Sequence, residues 1–271
     1  MSSLDRMLSL LDAFTREKPT RTTDELIEFT GSSRSTAYRY IRALQNGGLL
    51  SPAVNGSWTL GPRILELDLQ LRRCDPLYLA AGPVMARLVE RTGHTALLCT
   101  LFSDAVICIR DERGEGAPSD LFSRGQRRPL FTAAASKIML PYLPAHQLRR
   151  LYNNNRAAIA AAQLGHDWKQ FLGTLRKMRS DGYCDTTGEF RPGVFGIAAP
   201  VFGYSGSAIA SLGIALPKSK LRAGQKDVLI EIVKELAAAL SKRMLRNEGE
   251  FEMSARAIGR VQNRRSSAKA V

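Results

Sequence analysis

Asn55-Gly56 separates two short extended runs, Leu49-Leu50-Ser51-Pro52-Ala53-Val54 and Ser57-Trp58-Thr59-Leu60. A tight hairpin turn of type I′ needs positive φ at both central residues, and Asn-Gly meets that demand with least strain. What precedes the hairpin reads as three short helices. Leu4, Met7, Leu8, Leu11 and Phe14 recur at helical spacing until Arg16-Glu17-Lys18-Pro19 ends the pattern. Thr22 and Glu25 are spaced as a capping box for a second helix, with Leu26, Ile27 and Phe29 on its apolar side. Gly31 breaks that helix, and a third runs from about Ser33 to Asn46, where Gly47-Gly48 stops it. Three short helices and a hairpin inside 61 residues is the plan of a winged helix-turn-helix.

The third helix carries the chemistry expected of a recognition helix. Ala37, Ile41 and Leu44 share one face, with Tyr40 beside them; Arg34, Ser35, Tyr38, Arg39 and Arg42 share the other. Between positions 33 and 46 there are three arginines and no acid. Short donors at the helix start (Ser33, Arg34, Ser35, Thr36) suit base edges and phosphates approached by its first turn. Arg39 and Arg42 reach guanine edges or phosphates, and Tyr38 a phosphate or a thymine methyl. Thr23, at the start of the second helix, and Asn55 and Gly56, at the tip of the wing, complete the expected DNA-binding set.

Charge alone does not locate that surface. The chain of 271 residues has 39 Lys and Arg against 25 Asp and Glu, a net charge of +14. Residues 1–73 contribute only +2, residues 74–246 contribute +10, and residues 247–271 a further +2. No apolar run approaches the ~18 residues of a membrane span, and the N-terminus has no signal-like core, so a cytoplasmic protein is expected. Cys74, Cys99, Cys108 and Cys184 form no C-x-x-C pair and have no histidine at zinc-ligand spacing, so neither a metal nor a cofactor is expected. Cys99 and Cys108, in apolar runs, read as buried thiols. Gly114-Glu115-Gly116 lacks the third glycine of a nucleotide loop, and Gly203-Tyr204-Ser205-Gly206 reads as a turn between strands rather than a nucleophile elbow. No catalytic set is present, so the chain is not expected to be an enzyme.

The pattern divides the chain into a winged helix-turn-helix domain over 1–61, a linking helix over 62–75, a second domain over 76–246 and a basic tail over 247–271 expected to be disordered. In the second domain a helix leads to Gly93. Strands are expected at 94–102, 105–110, 183–186, 194–202 and 208–216, and helices at 136–143, 167–180 and 227–245. Asn153-Asn154-Asn155 reads as a loop. The fold class is therefore α/β (α+β).

The chain resembles the IclR family of bacterial transcriptional regulators over residues 3–245. The resemblance rests on Leu4-Asp5-Arg6, Ser33-Arg34-Ser35-Thr36-Ala37-Tyr38-Arg39, Gly47-Gly48-Leu49-Leu50 and Trp58-Thr59-Leu60-Gly61-Pro62-Arg63. In the second domain it rests on Pro129-Leu130-Phe131-Thr132-Ala133-Ala134-Ala135-Ser136-Lys137, Asp181-Gly182-Tyr183, Glu189-Phe190, Pro192-Gly193-Val194 and Ile197-Ala198-Ala199-Pro200-Val201-Phe202. It implies a C-terminal GAF-like effector-binding domain, built on a six-stranded or similar mixed sheet, and dimers or tetramers on palindromic double-stranded operators. The expected effector walls are Phe131, Thr132, Ala134, Ala135, Thr186, Val194, Phe195, Gly196, Gly213 and Ala215, where small side chains would leave volume. Thr186, Gly196, Gly213 and Ala215 depart from the usual family residues, toward fewer polar groups and more room. The charge of the second domain, with Arg124, Arg127 and Arg128 ahead of the pocket segment, points to a small organic acid, aromatic in preference. Backbone N–H groups opening the 136–143 helix would hold its carboxylate. The competing expectation for this domain is a ligand-free oligomerisation module.

Overall fold

The computed structural model describes residues 2–102, 104–115 and 122–245. The basic tail and the Gly116–Asp120 end of the polar loop lie outside the described residues. The chain forms two compact units, Met1–Asp75 and Pro76–Val271.

In the first unit, α1 spans Ser3–Ser9 and passes into a 3-10 turn at Leu10–Ala13. The sequence pattern suggested one continuous helix to Phe14; its outer leucines, Leu4 and Leu8, stay exposed while Leu10 and Ala13 are buried. Helix α2 covers Thr23–Thr30. Thr22 accepts from the Glu25 amide at 3.2 Å and the Glu25 carboxylate accepts from the Thr22 amide at 2.8 Å. A cap of this kind stabilises a helix by about 1 kcal/mol. Helix α3 covers Arg34–Asn46 and buries Ala37, Tyr40, Ile41 and Leu44. Tyr40, Ile41 and Leu44 pack with Leu10, Leu26 and Leu50 as the core of the unit.

The wing pairs β1, Leu50–Pro52, with β2, Trp58–Leu60, antiparallel. Asn55 and Gly56 have φ of 58° and 68°, and the Ser57 amide donates to the Val54 carbonyl, so the turn has the positive-φ pair that Asn-Gly supplies. Arg21 bridges to Trp58 on the free side of β2. Helix α4, Arg63–Cys74, leaves the wing through Gly61. A Cβ on Gly61 would lie 2.2 Å from the Gly48 carbonyl oxygen, so the chain can close here only as glycine. The Gly61 amide donates to Leu49 and the Arg63 amide to Gly48, which fastens the start of α4 to the end of α3.

In the second unit, α5 spans Pro76–Thr92 and the sheet strands are β3, Thr95–Phe102; β4, Ala105–Glu112; β5, Arg127–Pro129; β6, Cys184–Thr187; β7, Val194–Phe202; and β8, Ala208–Pro217. Their order is β5-β4-β3-β8-β7-β6 and every neighbouring pair is antiparallel. The expected mixed sheet is thus corrected: short turns such as Gly203–Ser207 join consecutive strands, and the long connection from β5 to β6 links opposite edges of the sheet, so it creates no parallel pair. Alternation sorts the strand residues onto two covered faces. Leu98, Phe195, Ile197, Leu212 and Ile214 pack with α5 and the closing helix α10 over residues 225–245. Leu97, Cys99, Cys108, Ala198 and Ala215 lie beneath the other layer. That layer holds α6, Ala134–Lys137; α7, Ala145–Asn154; α8, Arg156–Ala161; and α9, Trp168–Asp181. Covering both faces explains the near-continuous apolar strands.

The asparagine run is not a loop. Helix α7 runs through Asn154 and α8 restarts at Arg156, with Asn155 between them donating from its side chain to Leu151. The expected 136–143 helix begins instead at Ala134 and ends after one turn, followed by a 3-10 turn at Leu140–Tyr142.

Candidate DNA-binding face and effector cavity

Ser35, Tyr38, Arg39 and Arg42 follow the i, i+3, i+4, i+7 spacing and all are exposed on α3. Ser33 caps the helix, its hydroxyl within 2.9 Å of Thr36 Oγ1 and 3.3 Å of Ser35 Oγ, so three hydroxyls cluster at the end that carries unsatisfied N–H groups. Among the described residues Arg39 and Arg42 make no ion pair. Arg34 pairs with Asp24 at 2.7 Å, both side chains more than half exposed. An exposed pair contributes only about 0–1 kcal/mol, so a phosphate can displace the acid. Thr23 is half-buried and accepts from the Trp58 indole N–H at 3.0 Å, tying α2 to the wing. Asn55 and Gly56 are exposed at the wing tip.

In the second unit a cavity of about 440 Å³ opens between the β5–α6 connection, α8 and the end of β6. Pro129, Phe131 and Thr132 form one wall, the alanines of α8 with Gln163 another, and Thr187 and Glu189 the third. The expected residues are only partly brought together there: Phe131 and Thr132 line it. Val194 is half-buried, packed against the core of that face. Ala134, Ala135 and Ala215 are buried where α6 sits on the sheet, and Thr186 accepts from the Ala134 amide at 3.1 Å. Gly196 faces Ala134, whose methyl lies 4.0 Å from where a Cβ would stand. At Gly213 a Cβ would be 2.2 Å from the Ile197 carbonyl oxygen. Gly213 therefore lets β7 and β8 approach closely, and the other small residues seat α6 against the strands instead of leaving volume, a seat fixed further by Ser211 donating to the Ala135 carbonyl at 2.8 Å. Phe195 belongs to the opposite face, packed with α5 and α10, and cannot wall this cavity.

The N–H groups expected to hold a carboxylate already hold protein oxygens: the Ser136 and Lys137 amides donate to the Ala133 carbonyl and the Ile138 amide to that of Ala134. The Ala133 amide donates to Glu189 Oε2 at 2.9 Å, and Lys137 Nζ meets Glu189 Oε1 at 2.5 Å and the Ala162 carbonyl at 2.8 Å. Lys137 is only 4% exposed, so its charge needs this partner. Sequence reasoning passed over Lys137 and Glu189 as site residues; the signal was a lysine inside an otherwise apolar run, which has to find a counter-ion.

Of the three arginines ahead of the pocket segment, Arg124 donates to the Ile109 carbonyl at 2.7 Å and Arg127 to Asp104 at 3.4 Å. Arg128 is buried between Phe122 and Phe190, its guanidinium 3.8 Å from each ring centroid. Burial pulls its pKa down to about 10, which leaves it charged at neutral pH. Among the described residues no group of three or more histidines, cysteines or acids is placed to hold a metal ion. No helix among them is long and apolar enough to cross a membrane.

A capped recognition helix, a wing and a separate sheet domain bearing a cavity define a DNA-binding transcriptional regulator. Residues 3–52 match the IclR helix-turn-helix domain and residues 73–242 match the bacterial transcriptional regulator IclR C-terminal domain. The chain belongs to the IclR family of bacterial transcriptional regulators. It is 26% identical over 246 residues to the HTH-type transcriptional regulator BhcR of Paracoccus denitrificans, covering 89% of this chain and 88% of that protein. It is 24% identical to the Pca regulon regulatory protein of Pseudomonas putida, over 79% of this chain and 74% of that one. Its fold is similar to the IclR regulator of Alicyclobacillus acidocaldarius, with a TM-score of 0.77, 24% identity and 89% and 98% of the two chains covered. It is also similar to an IclR homologue from Microbacterium hydrocarbonoxydans complexed with 4-hydroxybenzoate, with a TM-score of 0.70, 22% identity and 91% and 100% covered.

Proposed function

We propose that this regulator binds a palindromic operator as a homo-oligomer and that a small organic acid, aromatic in preference, controls it from the second unit. The observation that carries the DNA reading is the exposed, acid-free face of α3, with Arg39 and Arg42 uncommitted to any acid among the described residues. Ser33, Arg34, Ser35, Thr36 and Tyr38 accompany them, and Asn55 and Gly56 extend the contact through the wing; Thr23 serves by holding the wing in place. One recognition helix reads one half-site, so a palindrome about one helical turn between half-sites needs two chains. Helix α4 supplies a surface for that pairing: it buries no residue, and Leu65, Leu67, Leu69 and Leu71 are all exposed.

The acid reading is supported by the 440 Å³ cavity, large enough for a single-ring ligand, walled in part by Glu189, the partner of the buried Lys137. The fold relative crystallised with 4-hydroxybenzoate is consistent with it. The effector would bind more tightly to one arrangement of the oligomer and so shift its affinity for a fixed half-site spacing. Selection from random duplexes should return a palindrome protected over one or two turns, and aromatic carboxylates should alter the half-saturation point. Ala161→Trp, in the cavity wall, should abolish the acid response while leaving operator binding intact. Equal affinity for selected and scrambled duplexes would sink the first reading; an unchanged acid response in the Trp variant would sink the cavity assignment.

A further inference from the structure

Arg128 is 5% exposed, yet its Nε has no hydrogen-bond partner, and no described acid lies within ion-pair reach of it. Buried cations are ordinarily matched. The chain follows that rule at Lys137, where Glu189 and the Ala162 carbonyl take the ammonium, and breaks it at Arg128. Phe122 and Phe190, set edge to face with their centroids 5.7 Å apart, both contact the guanidinium but offer no oxygen to its N–H donors, which lie in plane. An in-plane pair of donors matches the two oxygens of a carboxylate, or of a phosphate, in a forked contact. Pro129, the chain neighbour of Arg128, lines the cavity. Phe190 is 43% exposed, and its chain neighbour Glu189 lines the cavity. One short loop therefore covers both buried cations.

We propose that Arg128 is the anchor for the acid group of the effector, and that Phe190 moves to admit it. The proposal rests on the effector reading above and adds the residue that confers selectivity for anions. Glu189 neutralises Lys137 and stays in place; the ligand's oxygens complete the set that Arg128 lacks.

The test uses the full chain, with binding followed by calorimetry and thermal shift. The probes are benzoate, 4-hydroxybenzoate, phenyl phosphate, inorganic phosphate and the neutral 4-hydroxybenzamide. A carboxylate or phosphate probe should raise the melting temperature of the wild type, and the amide should not. Arg128→Met, which keeps the apolar stem, should lose the response. Arg128→Lys, which keeps the charge without the fork, should weaken binding at least tenfold, and it carries the test if the Met variant does not fold. Carboxylate against phosphate affinity then tells which acid the fork takes. If the wild type and both variants bind the probes equally, Arg128 is not the anchor and the effector reading stands. If the amide binds as well as the acid, the anchor fails likewise. If no probe binds the wild type, the proposal and the acid reading fail together.

Discussion

Ala133 shows how one residue can hold a site under strain. Its φ of 65° and ψ of 160° fall in a region that glycine occupies readily and L-residues avoid. The surroundings impose it: the amide donates to Glu189, and the carbonyl accepts from the Ser136 and Lys137 amides. Such strain costs about 1–3 kcal/mol, against about 0.5–1 kcal/mol of extra chain entropy for glycine. Ala133→Gly should therefore stabilise the protein by about 1 kcal/mol, a rise of roughly 2–4 °C in melting temperature. A fall on calorimetry would mean that the methyl contributes more through packing than the backbone loses. The neighbouring ion pair yields a second expectation. Glu189→Gln leaves the Lys137 ammonium buried without its acid, which should destabilise by about 3 kcal/mol in urea titration. Lys137→Met in the same chain should recover most of that loss. Additive losses in the double variant would show that the two charges do not depend on each other.

At the scale of elements, α3 separates two kinds of arginine contact. If Arg39 reads a base edge, Arg39→Ala should cost about 1–3 kcal/mol on the operator and relax specificity at one position. If Arg42 meets phosphate, Arg42→Ala should weaken all duplexes alike and reduce the salt slope by about one. Gel-shift titrations at several salt concentrations distinguish them, and equal losses on operator and scrambled duplex for both variants would leave α3 without base reading. The helix-turn-helix was legible because its signals are local. The Thr22–Glu25 box, the Ser33 cap and the Asn55-Gly56 turn each act within four residues. The helical layer over the sheet was less so. Asn155 ends one helix and begins another with a single side-chain bond to Leu151, which spacing does not reveal. Strand β5 is a three-residue edge of arginines and proline, the composition that masks an edge as a loop. The cavity was legible only at Phe131 and Thr132. Gly196, Gly213, Ala134 and Ala215 suggested empty space, but small residues permit close approach as readily as they leave voids. Only the contacts in space show this: Gly213 lets β7 pass close to β8, and Ala134 of α6 sits over Gly196.

At the scale of the whole molecule, α4 carries the strongest demand for a partner. At 100° per residue, Leu65 and Leu69 lie within one turn of each other on one side. Ile64, Leu67 and Leu71 gather on the opposite side, so the helix has two apolar stripes separated by charged residues. Salt bridges Arg63–Glu66 and Arg72–Asp68 run along the helix itself and leave both stripes uncovered. Four leucines at 39–73% exposure on a single three-turn helix are hard to reconcile with an isolated chain in water. The start of α4 is fixed to α3 through Gly48 and Gly61, so a partner that packs on α4 also sets the spacing of two recognition helices. Light scattering at micromolar concentration should thus give a particle well above the 29.8 kDa of one chain. Leu65→Glu with Leu69→Glu, or Leu67→Glu with Leu71→Glu, should lower that mass, and the pair that does so identifies the stripe used between chains. The dissociated variant should keep weak, salt-sensitive affinity for duplex DNA through its intact α3 and lose the gain in affinity that a palindrome gives over a single half-site. A wild-type mass of one chain, or a dissociated variant that still prefers the palindrome, would show that α4 does not join the two readers.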